Sequence, residues 1–156
     1  MTPAEVHALL LRRGETVAVA ESLTGGLLGA ALTSTPGSSA TFRGGLIVYA
    51  TDVKESLAGV PGPLLAAEGP VSAHVAAALA AAARDRLGAT YGVGVTGVAG
   101  PDPQDDQPVG TVHLAVAGPA EGEVRSLRCE GDREQIRSRT VVAALSLLAE
   151  VVAARG

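Results

Sequence analysis

The sequence predicts an α/β fold, a three-layer α/β/α sandwich with a mixed, mostly parallel sheet. Three observations carry this. Helix-like and strand-like patterns alternate through the first two thirds of the chain, the order that builds parallel βαβ units. Two strand-like runs joined by a Gly-Pro-Ala-Glu-Gly turn come late, adding an antiparallel hairpin. Ser, Thr, Tyr, Lys and Gly residues cluster just after three of the strands, at the edge where ligands of open α/β sheets bind.

The elements follow in order. Thr2 or Pro3 opens a helix through Val6, Leu9, Leu10 and Arg13, stopped by Gly14. Strand one is expected over 16–20 and helix two over about 24–33. Residues 35–39, rich in Pro, Gly and Ser, read as a loop. Strand two spans 42–49, where Gly44-Gly45 admits a bulge or a close backbone approach. A short helix is expected over 52–57, broken at 59–63 by two glycines and two prolines. Val71-Ser72 caps a long alanine-rich helix that ends near Leu87-Gly88. Strand three is expected over 91–95, followed by a polar, Pro-broken loop to 108. Strands four and five are expected over 109–117 and 123–129. Gly131-Asp132-Arg133 opens a last helix to about Ala154, with Ile136, Val141, Ala144, Leu145 and Leu148 on one face. One domain is expected over residues 1–156, large enough for a substantial core.

Composition narrows the class. Apolar residues make up 47% of the chain but aromatics only 2%, so the core is built from Ala, Val and Leu in tight layers. The net charge of −4 gives no electrostatic support for binding nucleic acid. Cys129 is the only cysteine, so neither an intrachain disulfide nor a cysteine-based zinc site can form. His7, His74 and His113 lack metal-ligand spacing and are read as structural, with no metal expected. The N-terminal residues show no secretory signal pattern, and the longest apolar run, 75–83, is far shorter than the roughly 20 residues of a membrane span. The expectation is a soluble cytoplasmic protein with no membrane partner.

The stretch Ala20-Glu21-Ser22-Leu23-Thr24-Gly25-Gly26 lies where strand one hands over to helix two. Backbone N–H groups there face outward, and glycines let a ligand approach them. Ser22 is readable as a helix cap, a phosphate ligand or a nucleophile served by an oxyanion hole in the following turn. Glu21 beside it supports a base, caps a dipole or faces solvent. No Gly-x-Ser-x-Gly elbow is present, which argues against an α/β-hydrolase. Of 12 cationic residues, Lys54 is the only lysine. An amine gives up its proton when buried and a guanidinium does not, so Lys54 is either a solvated surface residue or a base paired with Ser22. Tyr49 is a core aromatic with its hydroxyl at the rim, a proton relay or a substrate contact. Thr96-Gly97-Val98-Ala99-Gly100 resembles a phosphate-cradling loop, without the pattern of a dinucleotide fold or a Walker lysine. Arg133, just before a helix, has the geometry to grip a phosphate or is simply solvated.

Together these stretches resemble the CinA C-terminal domain family. The resemblance rests on Ala20–Gly26, on Tyr49 with Lys54, on Val95-Thr96-Gly97-Val98-Ala99-Gly100-Pro101, on Pro108-Val109-Gly110-Thr111-Val112 and on Gly131-Asp132-Arg133, in that order and spacing over nearly the whole chain. Three positions depart from the family pattern. Asp102-Pro103-Gln104 follows Pro101 in place of Gly-Pro-x-Gly-Gly continuations. Gln107 stands where a basic residue is common, and Glu68-Gly69-Pro70-Val71-Ser72 replaces His-Gly-Ala-Val-Ser. They bear on loop shape and ligand affinity more than on the chemistry.

The resemblance implies nicotinamide-nucleotide amidohydrolase activity: nicotinamide mononucleotide to nicotinate mononucleotide and ammonia, with no cofactor. It implies Ser22 as nucleophile, Lys54 as base and Tyr49 as a further catalytic residue. Thr24, Gly25 and Gly26 would hold the oxyanion, and Thr96, Gly97, Gly100 and Arg133 the ribose and phosphate. It also implies a homodimer and, because 156 residues leave no room for the N-terminal domain of longer members, the stand-alone form. The alternatives are a nucleotide-binding module without catalysis, suggested by the altered 101–107 loop, and an amidohydrolase of another substrate linked to competence or DNA damage.

Overall fold

The structure is a computed structural model and describes residues 1–155. Helix α1 (Pro3–Arg13) begins at Thr2, whose side chain and that of Glu5 satisfy each other's backbone N–H groups, and ends at Gly14 in the left-handed region. There follow β1 (Val17–Glu21), α2 (Leu27–Leu32), a 3-10 turn (Ser38–Ala40) and β2 (Phe42–Ile47). Three helices come next: α3 (Thr51–Ser56), α4 (Gly62–Glu68) and α5 (Ala73–Leu87). The chain closes with β3 (Tyr91–Gly97), β4 (Thr111–Ala117), β5 (Glu123–Arg128) and α6 (Arg133–Ala154).

The five strands form one sheet in the order β2-β1-β3-β4-β5. β1 pairs in parallel with both β2 and β3, while β4 runs antiparallel to β3 and β5 antiparallel to β4. β5 therefore points the same way as β1, β2 and β3, and only β4 opposes them. The connection from β1 leads outward to β2, and the next one crosses back over β1 to β3. The carboxyl ends of β1 and β3 thus flank a topological switch point, the crevice where ligands of open α/β sheets bind.

Side-chain alternation divides the core between the two faces. Val17 and Val19 of β1, Tyr91, Val93 and Val95 of β3, and Val112, Leu114 and Val116 of β4 pack with Leu10, Leu28, Leu145 and Leu148 under α1, α2 and α6. On the other face Ala18 and Ala20 meet Val75, Leu79 and Ala83 of α5. Each such fully buried Val or Leu stabilises the fold by roughly 1.5–3 kcal/mol. Alanine and glycine dominate that second face for a steric reason. A Cβ on Gly92 would fall 2.0 Å from the Ala80 carbonyl, and one on Gly94 2.2 Å from that of Ala76. The backbone of α5 lies directly on β3, which accounts for a core with so few aromatics.

Two local expectations change and one is resolved. α2 starts at Leu27, not near Thr24, because Gly25 (φ 54) and Gly26 (φ 108) take left-handed conformations that cannot start a helix. α4 was unexpected: Pro63 at its first turn starts a helix where the sequence reads as a break. Both readings open at Gly44-Gly45 are realised: the register against β1 passes over Arg43 between Val17 and Ala18, a bulge beside Gly44, and a Cβ on Gly45 would fall 2.5 Å from Val19 Cγ2, a close approach.

Candidate active site

Alternation at the end of β1 separates two neighbouring polar residues. Glu21 points to the face of α2. Its carboxylate, 1% exposed, accepts the N–H groups of Gly26 (3.2 Å), Leu28 (2.9 Å) and Gly29 (2.9 Å). No side chain of α2's own N-cap, Gly26, is available, so Glu21 supplies the capping charge from five residues upstream. Of the three readings open for Glu21, the dipole cap is the one realised. Ser22 points the opposite way, to the face of α3. It is not a helix cap, and its own N–H donates to the Val95 carbonyl at 3.1 Å, tying the turn to β3.

Lys54 comes up from α3 to meet it. The chain's only lysine is 2% exposed. Its Nζ lies 2.8 Å from Ser22 Oγ and donates to the carbonyls of Val48 and Tyr49, each at 2.9 Å. Burial pulls its pKa down to about 8, because a charged amine away from water is disfavoured. When the amine is neutral, the two carbonyls take its two hydrogens and leave its lone pair directed at the Ser22 hydroxyl. This is the geometry of a serine poised beside a general base.

The turn after Ser22 corrects part of the expected oxyanion site. The N–H of Gly25 donates to the Ser22 carbonyl at 3.1 Å, and that of Gly26 is held by Glu21. Thr24, Gly25 and Gly26 do not line the cavity described next; Gly25 and Gly26 shape the turn and spend their N–H groups inside it. The N–H groups of Leu23 and Thr24 have no acceptor among the described residues.

A cavity of about 350 Å³ opens above the Ser22–Lys54 pair, within the range of small-ligand pockets. Tyr49, Thr96, Gly97, Gly100 and Arg133 all line it, so the three strand ends singled out in the sequence do converge. The Thr96 hydroxyl donates to the Pro70 carbonyl at 2.7 Å, so its hydrogen binds the 70–71 segment and only its lone pairs face outward. Arg133 is the first residue of α6, behind the N-cap Asp132, whose side chain and that of Gln135 form a capping box. A cation at a helix N-terminus opposes the helix dipole, so its position there is not explained by helix stability. Its guanidinium donates to the Gly100 carbonyl (2.6 Å) and the Tyr49 hydroxyl (3.2 Å), forming a rim across the cavity. Tyr49 is 59% exposed, which rules out the core-aromatic reading.

Residues 2–152 match the family model described as the CinA C-terminal domain. The chain belongs to the CinA C-terminal domain family. A CinA-like protein of Frankia casuarinae is 57% identical over 148 residues, which are 95% of this chain and 34% of that protein. A CinA-like protein of an Anaeromyxobacter species is 51% identical over 147 residues, covering 94% of this chain and 36% of its own length. The chain thus spans about a third of the curated CinA-like relatives it matches. Among solved structures, the competence damage-inducible protein A of Klebsiella pneumoniae superposes with a TM-score of 0.92 at 29% identity, covering 98% of both chains. The competence/damage inducible protein of Agrobacterium tumefaciens superposes with a TM-score of 0.87 at 36% identity, covering 96% of this chain and 97% of that one. The α/β sandwich is therefore the CinA fold.

Sequence reasoning missed several residues of this CinA site. Asp102, Pro103 and Gln104, the segment that departs from the family pattern, line the cavity, as do Pro70 and Val71. Arg137 donates through Nε to the Leu23 carbonyl at 2.9 Å and lies 3.4 Å from that of Thr24. The signal was available: Arg133 and Arg137 are four residues apart in a helix and share one face. The histidines sit elsewhere, His7 against Thr41, His74 against Glu68 and His113 against Ser126. Among the described residues no helix is long and apolar enough to cross a membrane.

Proposed function

We propose that this CinA domain hydrolyses the carboxamide of nicotinamide mononucleotide to nicotinate mononucleotide and ammonia, without a cofactor. The observation that carries the reading is the Lys54 Nζ, 2.8 Å from Ser22 Oγ and buried at the foot of a cavity with Arg133 on its rim. Neutral Lys54 takes the Ser22 proton as Oγ attacks the carboxamide carbon. The oxyanion is held by turn N–H groups, of which those of Leu23 and Thr24 are free. Protonated Lys54 gives its proton to the departing nitrogen, the C–N bond breaks and ammonia leaves an ester on Ser22. Lys54, neutral again, takes a proton from water, whose oxygen attacks the ester. The acid product departs as Lys54 returns that proton to Ser22, and it gives up its own proton to solvent to become the carboxylate. Arg133 faces the phosphate, with Tyr49 holding its guanidinium from the other side.

Ammonia release from nicotinamide mononucleotide, nicotinamide riboside and nicotinamide tests this. Turnover of the mononucleotide above the other two supports it, and no turnover of any of them contradicts it. A second reading has its own observation. Asp102 and Gln104, outside the family pattern, form part of the cavity wall, which favours a nucleotide-binding module or an amidase of another substrate. Calorimetric binding of the mononucleotide without ammonia release would select it. A homodimer belongs to the first reading, supported by the exposed Leu27, Ile47 and Tyr49 beside the site, and sedimentation velocity tests it.

A further inference from the structure

Arg137 lies outside the cavity wall, yet it grips the turn that carries Ser22. Its Nε donates to the Leu23 carbonyl at 2.9 Å, and its Nη2 is 3.4 Å from the Thr24 carbonyl. Gly25 makes room for it: a Cβ there would come within 3.3 Å of Nη2. In a planar trans peptide the carbonyl and the following N–H point in opposite directions. Holding the Leu23 carbonyl toward α6 therefore turns the Thr24 N–H away from α6. Holding the Thr24 carbonyl fixes the Gly25 N–H, which donates to the Ser22 carbonyl at 3.1 Å. That contact in turn fixes the Leu23 N–H on the opposite side of its own peptide. The two N–H groups set in this way are the two in the turn with no acceptor among the described residues.

We infer that Arg137 is a positioning residue: from α6 it clamps two carbonyls of the Ser22 turn and so fixes the free N–H groups, that of Leu23 at the cavity wall and that of Thr24 behind it, to serve the oxyanion formed by attack of Ser22. The inference deepens the proposed function and rests on Ser22 being the nucleophile, though not on the identity of the substrate. Arg137 itself touches no reacting atom. A guanidinium spans two neighbouring carbonyls with its fork of donors, which a lysine ammonium cannot reproduce.

The test uses a probe that needs the nucleophile and the oxyanion site but no nucleotide pocket. With a small fluorophosphonate, Ser22 Oγ forms a bond to phosphorus, the P–F bond breaks, fluoride leaves and the serine proton passes to Lys54. The rate constant of labelling is measured by intact mass for the wild-type chain, Arg137→Lys, Arg137→Ala and the Ser22→Ala blank. Arg137→Lys keeps the charge and is the variant of record if Arg137→Ala does not fold. The expected result is labelling of wild type, a loss of about 100-fold in both variants, and partial rescue of Arg137→Ala by added guanidinium, with the pH midpoint of labelling unmoved. Where nucleotide turnover is measurable, kcat falls by a similar factor with KM nearly constant. Labelling at the wild-type rate in both variants overturns the inference, as does a wild-type chain that resists the probe. A chain that is labelled, loses labelling in the variants and yet releases no ammonia from nicotinamide mononucleotide upholds Arg137 and overturns only the substrate.

Discussion

Lys54 Nζ and Ser22 Oγ are 2.8 Å apart, and the other two hydrogens of the amine go to the carbonyls of Val48 and Tyr49. The amine has no freedom to turn elsewhere, so whether it acts as a base depends on its protonation alone. With its pKa brought down to about 8 by burial, the active neutral form grows as pH rises. Under the proposed mechanism kcat/KM for ammonia release rises with pH, is half-maximal near 8 and levels off above it. Lys54→Arg, which retains a charge that cannot be lost, is inactive across the range. A pH–rate profile with a purified Lys54→Arg control checks both; activity in Lys54→Arg would remove Lys54 from the role of base.

The same shift sets a pH dependence of stability. The amine titrates at about 8 in the folded chain and at 10.5 when exposed. Between those values the unfolded chain binds the extra proton, so stability rises with pH across that window. Below about pH 8 the fold carries the full cost of a buried ammonium, on the order of 3 kcal/mol by linkage. Relative to Lys54→Met, the wild-type chain gains most of that amount between pH 8 and 10.5. Urea unfolding of both proteins at several pH values measures it, and parallel curves would place the amine in a solvated state.

Glu21 holds three N–H groups at the start of α2 with a carboxylate that is 1% exposed. Glu21→Ala strips the cap and leaves the Leu28 donor buried and the Gly26 and Gly29 donors part-buried, at a cost of about 2–4 kcal/mol. Glu21→Gln keeps one acceptor oxygen and loses less. Thermal unfolding ranks the two. Equal stability in all three proteins would mean that water satisfies these N–H groups without the carboxylate.

Arg133 distinguishes a phosphate contact from a rim strut. If it holds the phosphate, Arg133→Ala raises KM for nicotinamide mononucleotide by about 10–100-fold and leaves turnover of nicotinamide riboside nearly unchanged. If it serves only to brace Tyr49 and Gly100, both substrates suffer alike. Steady-state kinetics on the two substrates separates these outcomes.

The layers of the fold and the convergence of the three strand ends were legible because they depend on periodicity and on strand direction. Helix α5 and strands β3 to β5 followed from their alanine, valine and glycine patterns. What stayed hidden depends on contacts between distant segments. Glu21 caps a helix that starts six residues later, a spacing that no local capping pattern contains. Pro63 reads as a break in isolation, but it starts α4. The reach of Arg137 to Leu23 spans more than a hundred positions and exists only once α6 has packed on the sheet. Ser22 was ambiguous for a related reason. A cap and a nucleophile call for the same residue type, and only the direction of the side chain, toward Lys54 and away from α2, excludes the cap.

The most direct measurement of that assignment is the mass of the protein quenched during turnover of nicotinamide mononucleotide. Attack by Ser22 with loss of ammonia predicts an adduct of the mononucleotide less ammonia, located on Ser22 by peptide mapping. Ser22→Ala, folded by circular dichroism, should show neither adduct nor ammonia release. Ammonia release by Ser22→Ala at the wild-type rate, with no adduct in either protein, would contradict the account.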